Sequence, residues 1–329
     1  MNPTVVKISD LKVHYPIRKG FFSFGKPQTL KAVDGISFEL KEGEILGLVG
    51  ESGCGKSSLG RAIIRLVDAT SGKVDIQGID FLALKGKALK AKRPQIQMIF
   101  QDPYASLDPR MTVFDILAEP VKAHMKLSSK ELEERIKKYL ELVNLPVKAL
   151  KKYPHEFSGG QRQRICIARA LILEPKIVVA DEPVSALDVS VQAQILNLLK
   201  DIQQKLNLTM IFISHNLSVV KYISDRIAVM YLGKIVEIGS RQDIFASPRH
   251  PYTQALISAV PIPDPKTERN RVRVPLIGEI PSPINPPSGC TFHTRCPFAV
   301  AHCKEAIPRL ENVAQNPAWQ VSCWEANLV

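Results

Sequence analysis

The run Gly50-Glu51-Ser52-Gly53-Cys54-Gly55-Lys56-Ser57 places glycines, one lysine and one hydroxyl at the spacing needed to hold a phosphate chain. Glycines let backbone N–H groups turn inward around a β-phosphate, and a helix opening directly after them adds partial positive charge. In such a loop Lys56 reaches the β- and γ-phosphates and Ser57 ligates magnesium, and Ser58, next along the chain, is counted among the candidate nucleotide-binding residues. Further on, the apolar run Ile177–Ala180 delivers two acids, Asp181 and Glu182. At the carboxyl end of a strand in an open α/β sheet, Asp181 is suited to hold magnesium through water and Glu182 to polarise an attacking water as general base.

A second set of chemically capable residues lies near the other end. Of six cysteines, Cys290, Cys296, Cys303 and Cys323 fall in the last 40 residues, separated by five, six and nineteen residues. That spacing suits a ligand set closing a loop with little core of its own, where metal binding would supply folding energy. The paired knuckles usual for zinc are missing, whereas iron–sulfur clusters accept varied spacing. The expectation is a [4Fe–4S] cluster, with zinc as the alternative and His293 and His302 near enough to substitute as ligands. Cys166, between Ile165 and Ile167, reads as core.

The elements that must position these groups follow from periodicity. Val5–Val13, Ala32–Leu40 and Glu44–Val49 read as strands, and after Lys56 the stripe Leu59, Ile63, Ile64, Leu66 predicts a helix to about Val67. The phosphate loop therefore lies between a strand and a helix. Helical spacing over Lys130–Val143, within a charged region from about Met111 to Val147, predicts a mostly helical insert. A helix over about Gln161–Leu173, the strand 177–180, a helix over Val191–Lys205 and the strand Met210–Ile213 imply a largely parallel sheet. Beyond Pro261 prolines crowd the chain and regular elements have little room.

The chain's 329 residues, 45% apolar, suffice for one large domain and a smaller one. No apolar run approaches the roughly 20 residues of a membrane span, and the first residues lack the pattern of a secretory signal, so a cytosolic chain is expected. A net charge of +12 favours anionic partners, namely nucleic acid, the inner-leaflet lipid surface or nucleotide phosphate, and does not choose among them. One basic cluster, Lys85, Lys87, Lys90, Lys92 and Arg93, reads as a solvated surface segment.

Phe157-Ser158-Gly159-Gly160-Gln161 resembles the signature motif of ABC ATPases, at a distance from Asp181-Glu182 that fits that family. Ser158 and Gly160, opening a helix, present a hydroxyl and N–H groups to an anion. The resemblance implies that Ser158, Gly159, Gly160 and Gln161 serve the ATP of a partner subunit in a head-to-tail sandwich. It also implies that Gln101 contacts magnesium and the attacking water, that Ser185-Ala186-Leu187-Asp188 crosses to the partner, and that His215 contacts the γ-phosphate. Tyr15 is the candidate for stacking on adenine, with Phe21, Phe22 and Phe24 as competitors. The implied fold is an α/β P-loop nucleotide-binding domain with a mostly parallel sheet core, antiparallel N-terminal strands and a helical subdomain over about 102–160.

His250-Pro251-Tyr252-Thr253 and the segment Pro281–Cys290, with the later cysteines, are similar to the C-terminal extension of dipeptide/oligopeptide transporter ATPases. The expected division is an ATPase domain over 1–260 and a Pro/Cys-rich extension over 261–329. This resemblance implies an ATPase that powers import of di- or oligopeptides from the cytoplasmic face of the membrane. Its implied partners are a second ATPase chain, two permeases and a peptide-binding protein. A nickel or other small-solute importer of the same branch is the alternative. A soluble ATPase acting on nucleic acid or ribosomes is disfavoured, because the chain has one phosphate loop and no long coiled-coil insertion; no nucleic-acid partner is expected.

Overall fold

A computed structural model of the chain describes residues 2–17, 28–261, 264, 269, 274–313 and 316–326. Two sheets form it. The first is antiparallel, in the order β2-β1-β4-β5, from β1 (Thr4–Ile17), β2 (Gln28–Lys41), β4 (Ser71–Ile76) and β5 (Ile79–Asp80). Along β2 the buried Ile36, Phe38 and Leu40 alternate with exposed neighbours, the pattern of a sheet with one covered face. The antiparallel N-terminal strands expected from the family resemblance are thus present.

The second sheet runs β11-β12-β10-β9-β3-β8-β7-β6. Its parallel centre comprises β3 (Ile45–Val49), β6 (Ile96–Ile99), β7 (Ile177–Asp181), β8 (Thr209–Ile213) and β9 (Arg226–Tyr231). Every residue of β3, β7 and β8 is buried, which explains their continuous apolar runs: these strands are covered on both faces. The register sets Leu48 beside Ile213 and Ile213 beside Asp181, so three strands end level at one edge. The phosphate loop, Asp181-Glu182 and His215 all leave the sheet there.

Helix α1 (Lys56–Ile63) follows the loop and packs on this sheet. It stops short of the expected Val67 because Arg65 adopts a left-handed backbone (φ 58°) and its guanidinium donates to the carbonyls of Phe81, Leu82 and Leu84. Of the basic cluster, Lys87, Lys90 and Lys92 lie on α2 (Gly86–Lys92), a helix with no buried residue, and Lys85 and Arg93 flank it; Lys85, Lys87 and Lys90 are exposed, whereas Lys92 and Arg93 are half-buried. The helical insert comprises α3 (Val113–His124), α4 (Ser129–Leu142) and the start of α5 (Gly159–Leu171). A reciprocal cap between Ser128 and Glu131 starts α4, and buried Leu132, Ile136, Tyr139 and Leu140 form its inner stripe. Helix α6 (Val189–Leu206) leads into β8 and α7 (Leu217–Ile223) into β9. Among the described residues no helix is long and apolar enough to cross a membrane.

Past β10 (Lys234–Ser240), α8 (Arg241–Ala246) and α9 (Pro251–Ser258), the Pro-rich stretch does contain regular structure: α10 (Ala301–Glu305), β11 (Glu311–Val313) and β12 (Asn316–Val321). β12 pairs with β10 and extends the main sheet. The join is secured by Glu237, a buried carboxylate that accepts from the Trp319 indole at 2.9 Å and the N–H groups of Arg249 and His250 at 2.8 and 3.0 Å.

The expectation of a [4Fe–4S] cluster or zinc on Cys290, Cys296, Cys303 and Cys323 is corrected. Among the described residues no group of three or more His, Cys, Asp or Glu is arranged to hold a metal ion. The four are free cysteines that share the lining of one small apolar cavity with Phe292, Phe298 and Trp324. Burial pushes the Cys290 and Cys296 thiols up and that of Cys323 to about 12, so they keep their protons and pack as small apolar groups. The Pro-rich loop does not lack a core of its own, because Phe292, Phe298 and Trp324 supply one around the cysteines.

Candidate nucleotide site

Gly50 to Ser57 form a tight loop between β3 and α1, with positive φ at Gly50 (153°), Gly53 (80°) and Gly55 (104°). A side chain at Gly55 would lie 1.9 Å from the Ala32 carbonyl oxygen, and one at Gly50 2.2 Å from that of Met230. Glycine is therefore required by close backbone approach as well as by φ. Lys56 is buried, and its ammonium donates to the carbonyls of Gly50 at 2.8 Å and Glu51 at 3.0 Å, bonds that phosphate oxygens would replace. Cys54 is also buried, 3.7 Å from the ammonium. Burial raises its thiol against the opposing pull of Lys56.

The Ser57 hydroxyl donates to Asp181 Oδ1 at 2.8 Å, joining the loop to the end of β7. Asp181 is fully buried. Among the described residues its Oδ2 has no hydrogen-bond partner, the nearest cation being Arg61 Nη2 at 3.8 Å. Burial raises its carboxyl above the ordinary range. A hydroxyl and an orphaned carboxylate oxygen beside a phosphate cradle are hard oxygen donors that fit magnesium.

Glu182 has a left-handed backbone (φ 46°), stabilised because its N–H donates to the Ile213 carbonyl and its own carbonyl accepts the N–H and hydroxyl of Ser185. That turn aims its carboxylate at two groups. Gln101 Nε2 donates to Oε2 at 3.0 Å, and His215 Nδ1 lies 3.1 Å from Oε1. Gln101, Glu182 and His215 line the same cavity as Ser52, Gly53, Gly55, Lys56, Ser57 and Ser58.

Ser158 caps α5: its hydroxyl accepts the Gln161 N–H, and its own N–H donates to the Gln161 side chain at 3.1 Å. A side chain at Gly159 would meet Leu187 at 3.3 Å and one at Gly160 Val191 at 2.4 Å, so glycines let α5 approach the segment opening α6. Ser185 is exposed and Asp188 precedes α6 as an exposed N-cap without a side-chain bond. None of Ser158, Gly159, Gly160, Gln161, Ser185 and Asp188 lines the Lys56 cavity. Stacking of the Arg162 guanidinium 4.1 Å from the Tyr104 ring centre ties α5 to the segment after Gln101.

Tyr15, at the end of β1, donates its hydroxyl to Ser58 Oγ at 3.4 Å. Phe21, Phe22 and Phe24 lie outside the described residues. Three contacts to the site were missed by sequence reasoning. Pro283 lines the cavity beside Leu30 and Ala32, Tyr252 accepts the Glu51 N–H at 2.9 Å, and Arg295 forms a two-pronged ion pair with Glu51 at 2.7 and 3.1 Å. Tyr252 lies in a motif singled out by resemblance, but no local pattern linked it, or Arg295, to residue 51.

Comparison with known proteins accords with this geometry. The ABC transporter family model matches residues 33–185 and the oligopeptide/dipeptide transporter C-terminal region matches 236–303. The oligopeptide transport ATP-binding protein OppF of Salmonella typhimurium is 57% identical over 309 residues, 93% of this chain and 92% of that protein. AppF of Bacillus subtilis, also an oligopeptide transport ATP-binding protein, is 51% identical over 321 residues, 97% of each chain. Among solved structures, cbiO1 from Clostridium perfringens, part of the ABC transporter complex cbiONQ, superposes with a TM-score of 0.64 at 27% identity, covering 74% of this chain and 91% of that one. The ATP-binding cassette MJ0796, in a dimeric post-hydrolysis state bound to ADP and Pi, gives 0.63 at 28% identity over 72% and 98% of the two chains. The chain therefore belongs to the ATP-binding subunits of ABC transporters, in the branch that carries the oligopeptide/dipeptide transporter C-terminal region.

Proposed function

We propose that this chain is the ATP-hydrolysing subunit of an importer of di- or oligopeptides, acting at the cytoplasmic face of the membrane. The observation that carries the reading is Glu182 held between Gln101 and His215 in the cavity that also presents Lys56 and Ser57. In this reading the loop amides of Ser52–Ser58 cradle the β-phosphate and Lys56 leaves the Gly50 and Glu51 carbonyls to reach the β- and γ-phosphates. Ser57, Asp181 and Gln101 are the residues that would hold magnesium, which when bound neutralises charge on the phosphate oxygens. Glu182 accepts a proton from the attacking water at its carboxylate, and Gln101 and His215 orient that carboxylate and the water. His215 also donates toward the γ-phosphate.

Ser158, Gly159, Gly160 and Gln161 lie apart from this cavity, which supports a composite site: they face the ATP of a second ATPase subunit, with Ser185 and Asp188 crossing the same seam. Closure of the two subunits on ATP moves two permeases, fed by a peptide-binding protein, and hydrolysis resets them. Peptide as the substrate rests on the similarity to OppF and AppF over nearly the whole chain. Reconstitution with the permeases and binding protein tests it: ATP-driven uptake of labelled oligopeptide is expected. Uptake of nickel without peptide would replace the substrate class.

A further inference from the structure

Glu51 is gripped from three directions. Its carbonyl accepts the Lys56 ammonium at 3.0 Å, its N–H donates to the Tyr252 hydroxyl at 2.9 Å, and its carboxylate receives both prongs of Arg295 at 2.7 and 3.1 Å. Tyr252 and Arg295 come from outside the loop's own layer, 201 and 244 residues further along. The grip is anchored. Arg295 is 4% exposed and lies over the Tyr231 ring, and Tyr231, Tyr252 and Phe292 pack with ring centres 4.8 to 5.4 Å apart. An arginine fork matches a carboxylate on both oxygens, whereas lysine makes only a point contact.

The electrostatic consequence is specific. Glu51 is a carboxylate inside a loop shaped for a polyanion, and the paired guanidinium cancels its charge and turns it away toward the extension. We infer that Arg295 and Tyr252 are positioning residues for ATP binding: they neutralise and orient Glu51 so that the phosphate loop keeps an open cradle, making nucleotide affinity depend on the C-terminal extension. This rests on the reading of the Lys56 cavity as the ATP site. In Arg295→Met the freed carboxylate repels phosphate oxygens. In Glu51→Gln/Arg295→Met neither charge remains and the repulsion is gone.

The test is equilibrium ATP binding to the full chain, with thermal unfolding measured in parallel. Wild type is measured first, and no ATP binding there would overturn the site itself rather than the role of Arg295. Given wild-type binding, Arg295→Met is expected to raise the ATP dissociation constant about tenfold, the order for one uncompensated unit charge near a polyanion. The double variant is expected to return within about twofold of wild type, a rescue that a purely structural staple would not give. Arg295→Lys keeps the fold and the charge but loses the fork, and is expected to weaken ATP about threefold; it serves where the methionine variant does not fold. Unchanged affinity in Arg295→Met or Arg295→Lys, or a double variant as weak as the single one, would overturn the inference.

Discussion

Glu182 Oε1 and His215 Nδ1 lie 3.1 Å apart, although they leave the sheet from different strands, β7 and β8. The pairing of Asp181 with Ile213 sets this distance, because each side chain follows its strand end by one or two residues. Glu182→Gln keeps the shape and the Gln101 contact and removes the proton acceptor. ATP hydrolysis is expected to fall by at least about a hundredfold, the usual worth of a positioned base, with ATP binding unchanged. Steady-state turnover and equilibrium binding on the same preparation check this. Undiminished hydrolysis would remove Glu182 from the role of base.

Gly55 precedes α1 with φ 104° and has the Ala32 carbonyl against it. Gly55→Ala must distort either the loop or β2. The expected cost is about 2 kcal/mol of stability together with loss of measurable ATP affinity. Denaturant unfolding and nucleotide titration report the two effects separately. An alanine variant that binds ATP like wild type would show that the cradle tolerates a wider loop.

What the sequence made legible and what it hid divide along one physical line. Lys56, Ser57, Asp181 and Glu182 stand at strand ends and a helix start, and their spacing is the local signature of those elements, so their placement was readable. His215 was singled out only through the family resemblance, because a lone histidine after a strand carries no such signal. The link from Arg295 to Glu51 spans 244 residues and belongs to no periodic pattern. The early end of α1 depended on three carbonyls near residues 81–84 that capture Arg65. The cysteines misled for a related reason. Spacing alone cannot show that Phe292, Phe298 and Trp324 close around them.

Tyr15 reaches Ser58 through its hydroxyl at 3.4 Å, which places the ring beside the start of α1. If the ring stacks on adenine, Tyr15→Phe retains ATP affinity within about twofold, since the base meets the ring face and not the hydroxyl. Tyr15→Ala is expected to weaken ATP about tenfold, the size of one base–aromatic stack. Titration with ATP distinguishes them. Equal affinity in both variants would pass the stacking role to another aromatic residue.

His250 is fully buried against Phe292, and its Nδ1 accepts the Tyr252 N–H at 3.1 Å as the cap of α9. Burial lowers its pKa from 6.5 to about 3, so the folded chain keeps the ring neutral. The unfolded chain takes up a proton near pH 6.5, hence the stability this residue contributes is complete above that value and is lost as pH falls toward 3. Glu237, whose N–H donors include His250, runs the other way. Burial raises its carboxyl, so its contribution is present at low pH and is lost as pH rises through its folded value. A comparison at His250 alone therefore isolates the histidine. His250→Asn keeps an acceptor for the Tyr252 N–H and removes the titration. Between about pH 6 and pH 5, unfolding free energy of wild type should fall more steeply than that of the variant by about 1.4 kcal/mol per pH unit, the slope for one proton. Denaturant unfolding across that range gives both slopes; parallel curves would mean that the ring is protonated in the folded chain.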